Sequence, residues 1–567
     1  MLGVTVWLVA GAPATADGAG PAPADTTLRV GTITLELDDI FTEREVAEAT
    51  GLNRTLRQTL NSLHVNTRPW VVSKELLFRT GEPFRPYLLA ESERNLRSLG
   101  FLNNVAVVPT DTTDDGRVNI AVRTRETWTL SAEFSFALAG DGEVRWDASL
   151  SDKNFLGYGL EVRGSVGHEL DASYGGVFLK MNRVQHTPLS AWLSVDERSD
   201  GHNRSFRVAL PFRSDDQLWS AGVQVWDQHV NVRWYLSNGG PAGIDPTSQE
   251  RLYALLPRER SGMQLDLMKR ISAPDRGRLW RLGAGLRISE LDYLVSGSGY
   301  TLSDDRPLDL SYLDTPGETL ARDTGTEVWP YLVISSKGRR WAETRFLLRY
   351  GNEEDIPLDP AFVLQVGPAA PALGTTTGEG TRAILEGEFQ NWVRLGRSFL
   401  LQRLDGRVVL GQIEDRHHRL DALLGAIVRV GAAEHPFTVK TYVEGIHSEG
   451  LRGDEVPVLG LDRGLRTLGL DGMAGEKLLR WSTEVGQGID WTPLGLVRMG
   501  WGVYYGGGLV HWTDEARDLG DARHEAGVGL RLGFTRSGSS PVARIDVTRD
   551  LSGEDGWVLT TVTGGFF

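Results

Sequence analysis

The side chains of this chain best placed to act on something else are charged residues set against apolar ones on alternating segments. Between Lys477 and Val485, Leu479, Trp481, Thr483 and Val485 share one face while Arg480, Ser482 and Glu484 share the other. The next segment repeats the arrangement, with Met499, Trp501, Val503 and Tyr505 opposed to Tyr504, Gly506 and Gly508. Period-two alternation turns one set toward an apolar medium and the other toward a polar interior. A guanidinium confined to such an interior needs a carboxylate, because an unpaired charge in a restricted space is costly. That chemistry is electrostatic fastening, not bond making. Signatures of catalysis are missing: there is no Walker-type phosphate loop, no HExxH and no Gly-x-Ser-x-Gly elbow. His417-His418, flanked by Asp415 and Arg416, reads as a solvated turn, and Arg452-Gly453-Asp454 as a chance tripeptide. The chain is read as a non-enzyme without cofactor or metal.

Composition narrows the class. With 567 residues, more than one folding unit is expected. There are 17 Trp, 18 Phe and 13 Tyr, yet hydrophobic residues make up only 40% and the mean hydropathy is -0.23. No apolar run of about 18 residues occurs, which excludes a bundle of transmembrane helices. A transmembrane β-barrel escapes that test, because lipid-facing and lumen-facing residues alternate along each strand. Cysteine is absent, so there is no disulfide framework and no thiolate chemistry. A net charge of -15 argues against a nucleic-acid partner.

Residues 1–16 carry an apolar segment ending in Ala14-Thr15-Ala16, and read as a signal peptide, although no Lys or Arg precedes the segment. Residues 17–26, rich in Ala, Pro and Gly, read as a linker. A small α+β domain is then expected over 27–126: a half-buried strand around Ile33, Leu35 and Leu37, a helical stretch over 43–60, a second helix over 87–99 closed by Gly100, and a hairpin of Val105 to Val108 with Val118 to Val122 about Asp114-Asp115-Gly116.

From 127 to 567 the pattern is period two. Trp128, Leu130, Ala132, Phe134, Phe136 and Leu138 open it, Phe206, Val208, Leu210 and Phe212 continue it, and Ala526, Val528, Leu530, Leu532 and Phe534 nearly close it. A sandwich would have to cover these faces with a second sheet, whereas a lipid-facing barrel needs only about 9–11 residues per tilted strand. Stretches 299–325 and 367–380 read as long exposed loops.

Specific segments carry a family resemblance. Leu96-Arg97-Ser98-Leu99-Gly100-Phe101-Leu102-Asn103-Asn104-Val105-Ala106-Val107 resembles the second helix and following strand of a POTRA domain, the periplasmic module of the BamA/TamA outer-membrane protein assembly superfamily. Asp152-Lys153-Asn154-Phe155-Leu156-Gly157-Tyr158-Gly159 resembles the turn after the second barrel strand there, and the terminal Phe567 resembles the aromatic end of bacterial outer-membrane barrels. Leu459-Gly460-Leu461-Asp462-Arg463-Gly464-Leu465-Arg466-Thr467-Leu468 is similar to the superfamily's inward-folding extracellular loop. The resemblance puts the loop arginine at Arg466, with Leu465, Thr467 and Leu468 as its tip, and the partner carboxylate at Glu484. Thr467 and Leu468 depart from the usual glycine and aromatic neighbours, and Gly506 stands where an aspartate is usual. The implied lock is therefore reduced: Arg466 to Glu484, assisted by Tyr504.

The resemblance also implies a lateral seam between the first strand, with Trp128 and Leu130, and the last, with Gly564, Gly565 and Phe567. The fold expected is an antiparallel all-β transmembrane barrel of about 16 strands behind a single POTRA-like domain. About fifteen candidate strands precede the Arg466 loop and five follow it, and the excess over sixteen is assigned to extracellular hairpins. The function implied is insertion or translocation of proteins at the outer membrane, with the N-terminal domain in the periplasm. Implied partners are outer-membrane lipid, unfolded client β-barrel or secreted proteins, and periplasmic or lipoprotein partners. The alternative is a passive pore or structural barrel that has lost assembly activity.

Overall fold

The computed structural model describes residues 28–563 apart from short internal stretches, the longest being 236–252 and 295–323. The expected signal peptide and linker, nearly all of the expected loop 299–325, and Gly564, Gly565 and Phe567 lie outside the described residues.

The N-terminal domain runs β1 (Arg29–Asp38), α1 (Glu43–Glu48), α2 (Gly51–Leu63), α3 (Pro69–Ser73), α4 (Pro86–Ser98), β2 (Leu102–Thr112) and β3 (Arg117–Glu126). Local chemistry sets the helix ends. Thr42 and Glu45 form a reciprocal capping box at α1, and Pro86 occupies the first turn of α4, where its missing N–H has no partner to lose. The helical stretch 43–60 is split, because α2 begins afresh at Gly51. β1 pairs parallel to β3 and β2 antiparallel to it, in the order β1-β3-β2. Leu96, Phe101, Val72, Ile120 and Val122 lie at the centre of the core between this sheet and α4.

The barrel strands before the inward loop are β4 (Leu130–Leu138), β5 (Val144–Asp152), β6 (Leu160–Glu169), β7 (Ala172–Met181), β8 (Ser190–Arg198), β9 (Gly201–Leu210), β10 (Trp219–Tyr235), β11 (Tyr253–Arg270), β12 (Arg278–Tyr293) and β13 (Gly325–Gly338). A hairpin, β14 (Trp341–Arg345) and β15 (Glu353–Pro357), interrupts the series. The wall resumes with β16 (Ala361–Ala369), β17 (Arg382–Leu395), β18 (Ser398–Leu410), β19 (His417–Val430) and β20 (Phe437–Glu449). After the loop and its short strands β21 (Val458–Leu459) and β22 (Met473–Ala474) come β23 (Lys477–Gly488), β24 (Val497–His511), β25 (Arg523–Phe534), β26 (Ala543–Asp550) and β27 (Trp557–Thr563). Twenty antiparallel strands close into one barrel. The expectation of about sixteen is corrected: fifteen wall strands precede the loop and five follow it, so the excess belongs to the wall.

Alternation does what period two requires. Along β19, Leu420, Leu424 and Val428 are exposed outward while Leu423 and Ile427 are buried inward. Val443, Val485, Val503, Val528, Val547 and Leu559 extend the outward apolar belt around the barrel. A continuous patch of that size is disfavoured against water and suited to lipid. The stretch 367–380 is not an open loop throughout: Thr376 donates its N–H to the Thr326 carbonyl at 2.7 Å, and Thr375 and Thr377 are buried.

The domain sits across one barrel end, called here the near end, and among the described residues it hydrogen-bonds or pairs with five of its connections. Asn154 Nδ2 donates to Thr67 Oγ1 at 2.8 Å, Arg183 pairs with Glu75 at 3.0 Å, Ser214 Oγ donates to Glu91 at 3.1 Å, Arg97 pairs with Asp355 at 2.8 Å, and Arg536 with Glu45 at 2.7 Å. In the Asp152 to Gly159 turn, the Gly157 carbonyl accepts from Arg68 N–H at 3.0 Å. Gly157 has a φ of +74°, and a Cβ there would lie 2.3 Å from the Asn66 carbonyl oxygen. Only glycine permits both the left-handed turn and this approach.

This interface contains a pH-sensitive pair. Burial pushes the Glu91 carboxyl up to about 7, and the neighbouring Asp215 pushes the same way. Asp215 itself is held low: burial raises it, but Lys337 and Arg339, at 3.1 and 2.9 Å, outweigh that. A carboxyl raised on docking binds its proton more tightly in the docked state. Its contribution is therefore full below the ordinary value of 4.5 and is lost as pH rises from there to about 7. Within that window the docking constant is expected to fall by up to about tenfold per pH unit, and Glu91→Gln is expected to flatten the dependence. The chain has no native cysteine, so a distance measurement between two introduced labels, one on α2 and one on a barrel turn, checks both outcomes.

Candidate functional site

The segment 450–476 joins β20 to β23, and its described residues fold into the lumen. Its fold begins with small apolar contacts: Leu465, fully buried, packs with Leu459, Met473, Leu478 and Val510, and Leu468 lies against them. Gly508 makes room, since a Cβ there would stand 2.7 Å from Leu459 Cδ2.

The tip then meets ions on the wall. Glu525, on the inward face of β25, accepts from the backbone N–H of Arg466 at 2.6 Å and of Thr467 at 3.1 Å, and pairs with Arg466 Nη1 at 3.1 Å. Arg466 Nε also stands 3.3 Å from Asp546, and its guanidinium lies over the Tyr504 ring at 4.1 Å. Tyr504 is buried, packs over Gly527, and shares a hydrogen bond with Thr548.

The direct Arg466–Glu484 lock is not what forms. Glu484 does face inward, but it holds Arg531 at 2.6 Å and Arg544 at 2.8 Å. The two groups are joined through Asp546, which pairs with Arg466, Arg531 and Arg544. The reason is register. Gly506 on β24 lies directly opposite Glu525 on β25, so the carboxylate missing at 506 is supplied one strand further on, and it takes the arginine. Thr467 has a role that an apolar neighbour could not fill, since its hydroxyl also donates to Glu525 at 3.3 Å. Glu525 and Asp546 escaped the sequence reading, although the signal was present: with Val528, Leu530 and Leu532 outward, Glu525 and Arg531 must point inward, as must Arg544 and Asp546 between Ala543, Ile545 and Val547.

The same loop reaches the opposite wall. Asp454, its carboxylate buried, pairs with Arg258 of β11 at 2.7 Å and with Arg452 at 3.3 Å, and accepts from the Tyr293 hydroxyl of β12 at 2.9 Å. Arg452-Gly453-Asp454 is thus an anchor. Gly453 approaches so closely that a Cβ would lie 2.6 Å from Trp234.

From the near end the lumen is filled by the β14–β15 hairpin. Its Ala342, Leu347 and Ile356 pack on Trp392, Phe399, Leu401, Leu423, Ile427 and Tyr442 of the inner wall. Glu354 accepts from the Leu347 and Leu348 N–H groups, both at 3.0 Å, which ties these two residues back to β15. Arg97 of α4 grips the hairpin's outer side through Asp355 and, at 2.9 Å, Glu343. Doubled apolar residues foretell this plug: Leu400-Leu401, Leu423-Leu424 and Ile427-Val428 place apolar groups on both faces of the wall, which requires a cover on the lumen side.

Thr561 of β27 pairs with Phe136 of β4, closing the barrel between its first and last described strands. Leu130 is exposed outward there. Trp128 is not part of that pairing. Its N–H donates to the Arg536 carbonyl at 2.6 Å, beneath the β25–β26 turn, because β4 begins two residues later.

The chain is similar in structure to BamA and to CdiB. BamA from Haemophilus ducreyi lacking POTRA domains 1-3 matches over 94% of this chain and 85% of its own, at 12% identity and a TM-score of 0.38. CdiB from Escherichia coli matches over 98% and 93%, at 13% identity and 0.41, and CdiB from Acinetobacter baumannii over 94% and 73%, at 12% and 0.42. The copper transporter OprC matches over 80% of each chain at a TM-score of 0.35. No protein-family model matches the chain, and no curated protein matches it in sequence. Scores of this size carry no function, and the site stands on its own geometry.

If the tip is held as described, Glu525→Ala leaves Arg466 with Asp546 as its remaining carboxylate and two backbone donors unpaired, at a cost of about 3–5 kcal/mol. Alkylation of a Leu468→Cys reporter in the folded barrel is then expected to rise by roughly a hundredfold or more. In double-mutant cycles on the same readout, Arg466 should couple strongly to Glu525 and weakly to Glu484. Equal coupling would contradict the register argument.

Proposed function

We propose that the protein is a non-enzymatic outer-membrane factor for inserting or translocating proteins, of the BamA/TamA type. The observation that carries this reading is the lumen. A loop with an ion-locked tip enters from one end and an apolar hairpin from the other, an arrangement suited to a gated device and poorly suited to a passive pore. The apolar outward belt supports placement in a membrane, and a barrel is one of the two backbone arrangements that satisfy every hydrogen bond there. The N-terminal domain is then a POTRA-type module in the periplasm.

In this reading the module receives unfolded client β-barrel or secreted proteins. β2 is an edge strand, paired within its sheet to β3 alone, and such an edge can take a further strand through backbone hydrogen bonds. The barrel seam or the lumen then acts on the client, with lipid and periplasmic or lipoprotein partners around it. With no nucleotide motif in the sequence, the driving energy is the client's own folding or its coupling to partners.

Depletion of the protein followed by proteomics of outer membranes is the deciding measurement. Selective loss of a set of barrels or secreted proteins is the expected outcome. An unchanged outer-membrane proteome, with single-channel conductance from the purified protein, would instead identify a pore that kept the fold without the activity.

A further inference from the structure

At the far end, on the outward face of the wall, β19 and β20 bring together two imidazoles and a carboxylate. His418 stands directly opposite Glu449, and His447 opposite Leu420, so His447 and Glu449 are two residues apart on one strand with His418 across from them. Leu420 and Val443 mark that face as outward. Each of the three residues offers one ligating atom, and these atoms lie within 4.8 Å of one another. The two imidazole rings are 5.0 Å apart, centre to centre.

We propose that His418, His447 and Glu449 form a divalent metal site that takes a borderline transition ion, with Zn2+ the probe of choice. Two imidazoles and one carboxylate suit Zn2+, Ni2+ or Cu2+; Mg2+ and Ca2+ prefer oxygen ligands alone. Ligands about 2.0–2.2 Å from a tetrahedral ion stand roughly 3.5 Å from each other, so small rotations of the exposed His447 and Glu449 side chains bring the set to bonding distance. Adjacent strands fix the three Cβ positions in advance, which lowers the ordering cost of binding. A fourth position faces outward, open to water or to a donor from outside the barrel. Lys477 lies opposite His447 across the next strand pair and opposes a cation there, which puts the expected affinity in the micromolar range. The site is separate from the lumen and makes no demand on the transport reading. Its consequence is a clip at the rim that ties β19 to β20, the strand that leads into the inward loop.

The test is calorimetric titration of untagged protein in detergent with Zn2+. One saturable equivalent is expected, weakened at least about tenfold by His418→Ala or by His447→Ala and less by Glu449→Gln. Co2+ in its place is expected to give the intense visible bands of a four-coordinate ion, lost in the same variants. Heat-modifiable gel mobility verifies that each variant keeps its barrel. Absence of a saturable equivalent, or binding by the His418→Ala/His447→Ala double variant equal to that of the unaltered protein, would overturn the proposal.

Discussion

Where loop and wall together shut out water a charge must find a partner, and that constraint organises this part of the lumen around Asp546. This carboxylate, almost wholly buried, is shared by Arg466 from the loop, Arg531 from β25 and Arg544 from its own strand. Around it, Glu525 and Glu484 complete an alternation of signs in which every guanidinium touches at least one carboxylate. Removing one member strands another, which is why such a network is cooperative and why the loop tip has one position. Small residues are part of the design: a Cβ at Gly529 would collide with the Asp546 carboxylate, and one at Gly527 with the Tyr504 hydroxyl.

The near end depends on that organisation only indirectly and has its own physics. The hairpin is held by apolar contact with the inner wall and by a few hydrogen bonds, such as Arg429 Nη2 to Thr344 Oγ1 at 2.9 Å. The domain reaches the hairpin through Arg97, while Arg94 lies over the Trp341 ring at 5.3 Å. Helix, hairpin and inner wall therefore form one continuous stack. Displacing the domain would pull on Asp355 and Glu343 and, through Glu45, on Arg536 in the turn between the strands that carry Arg531 and Arg544.

How far this was legible varies with the physics involved. Period two is a property of backbone geometry, so the outward belt, with Leu130, Val503, Tyr505 and Val528 among its members, could be read from residue types alone. Strand number could be read as well: fifteen runs before the loop and five after it are the wall, and the error came from fitting them to a family size. Partner choice was harder. That Glu484 and Tyr504 face the lumen follows from alternation and that Arg466 does was implied by the family resemblance, but which carboxylate takes the arginine depends on how adjacent strands are staggered, and stagger leaves no local trace. The domain's docking turn was visible as glycines at 157 and 159, whose need for space becomes clear only when Asn66 and Val71 are placed against them.

The two plugs differ in what would release them. A tip held by ions yields to a competing charge or to distortion of β24–β26 that breaks the register, and its energy depends on exclusion of water from the lumen. A hairpin held by apolar surface yields to another apolar segment, because the hydrophobic effect is indifferent to which chain supplies the cover. If the hairpin left, Trp392, Phe399, Leu401, Leu423 and Ile427 would face water, and about 1.5–3 kcal/mol for each large side chain would favour its return or its replacement. An unfolded β-barrel strand with one apolar face is a replacement of the right kind. The near-end plug is thus sensitive to the class of molecule that the proposed activity handles, and the far-end lock is not, so a client arriving from the domain side would meet the apolar barrier first.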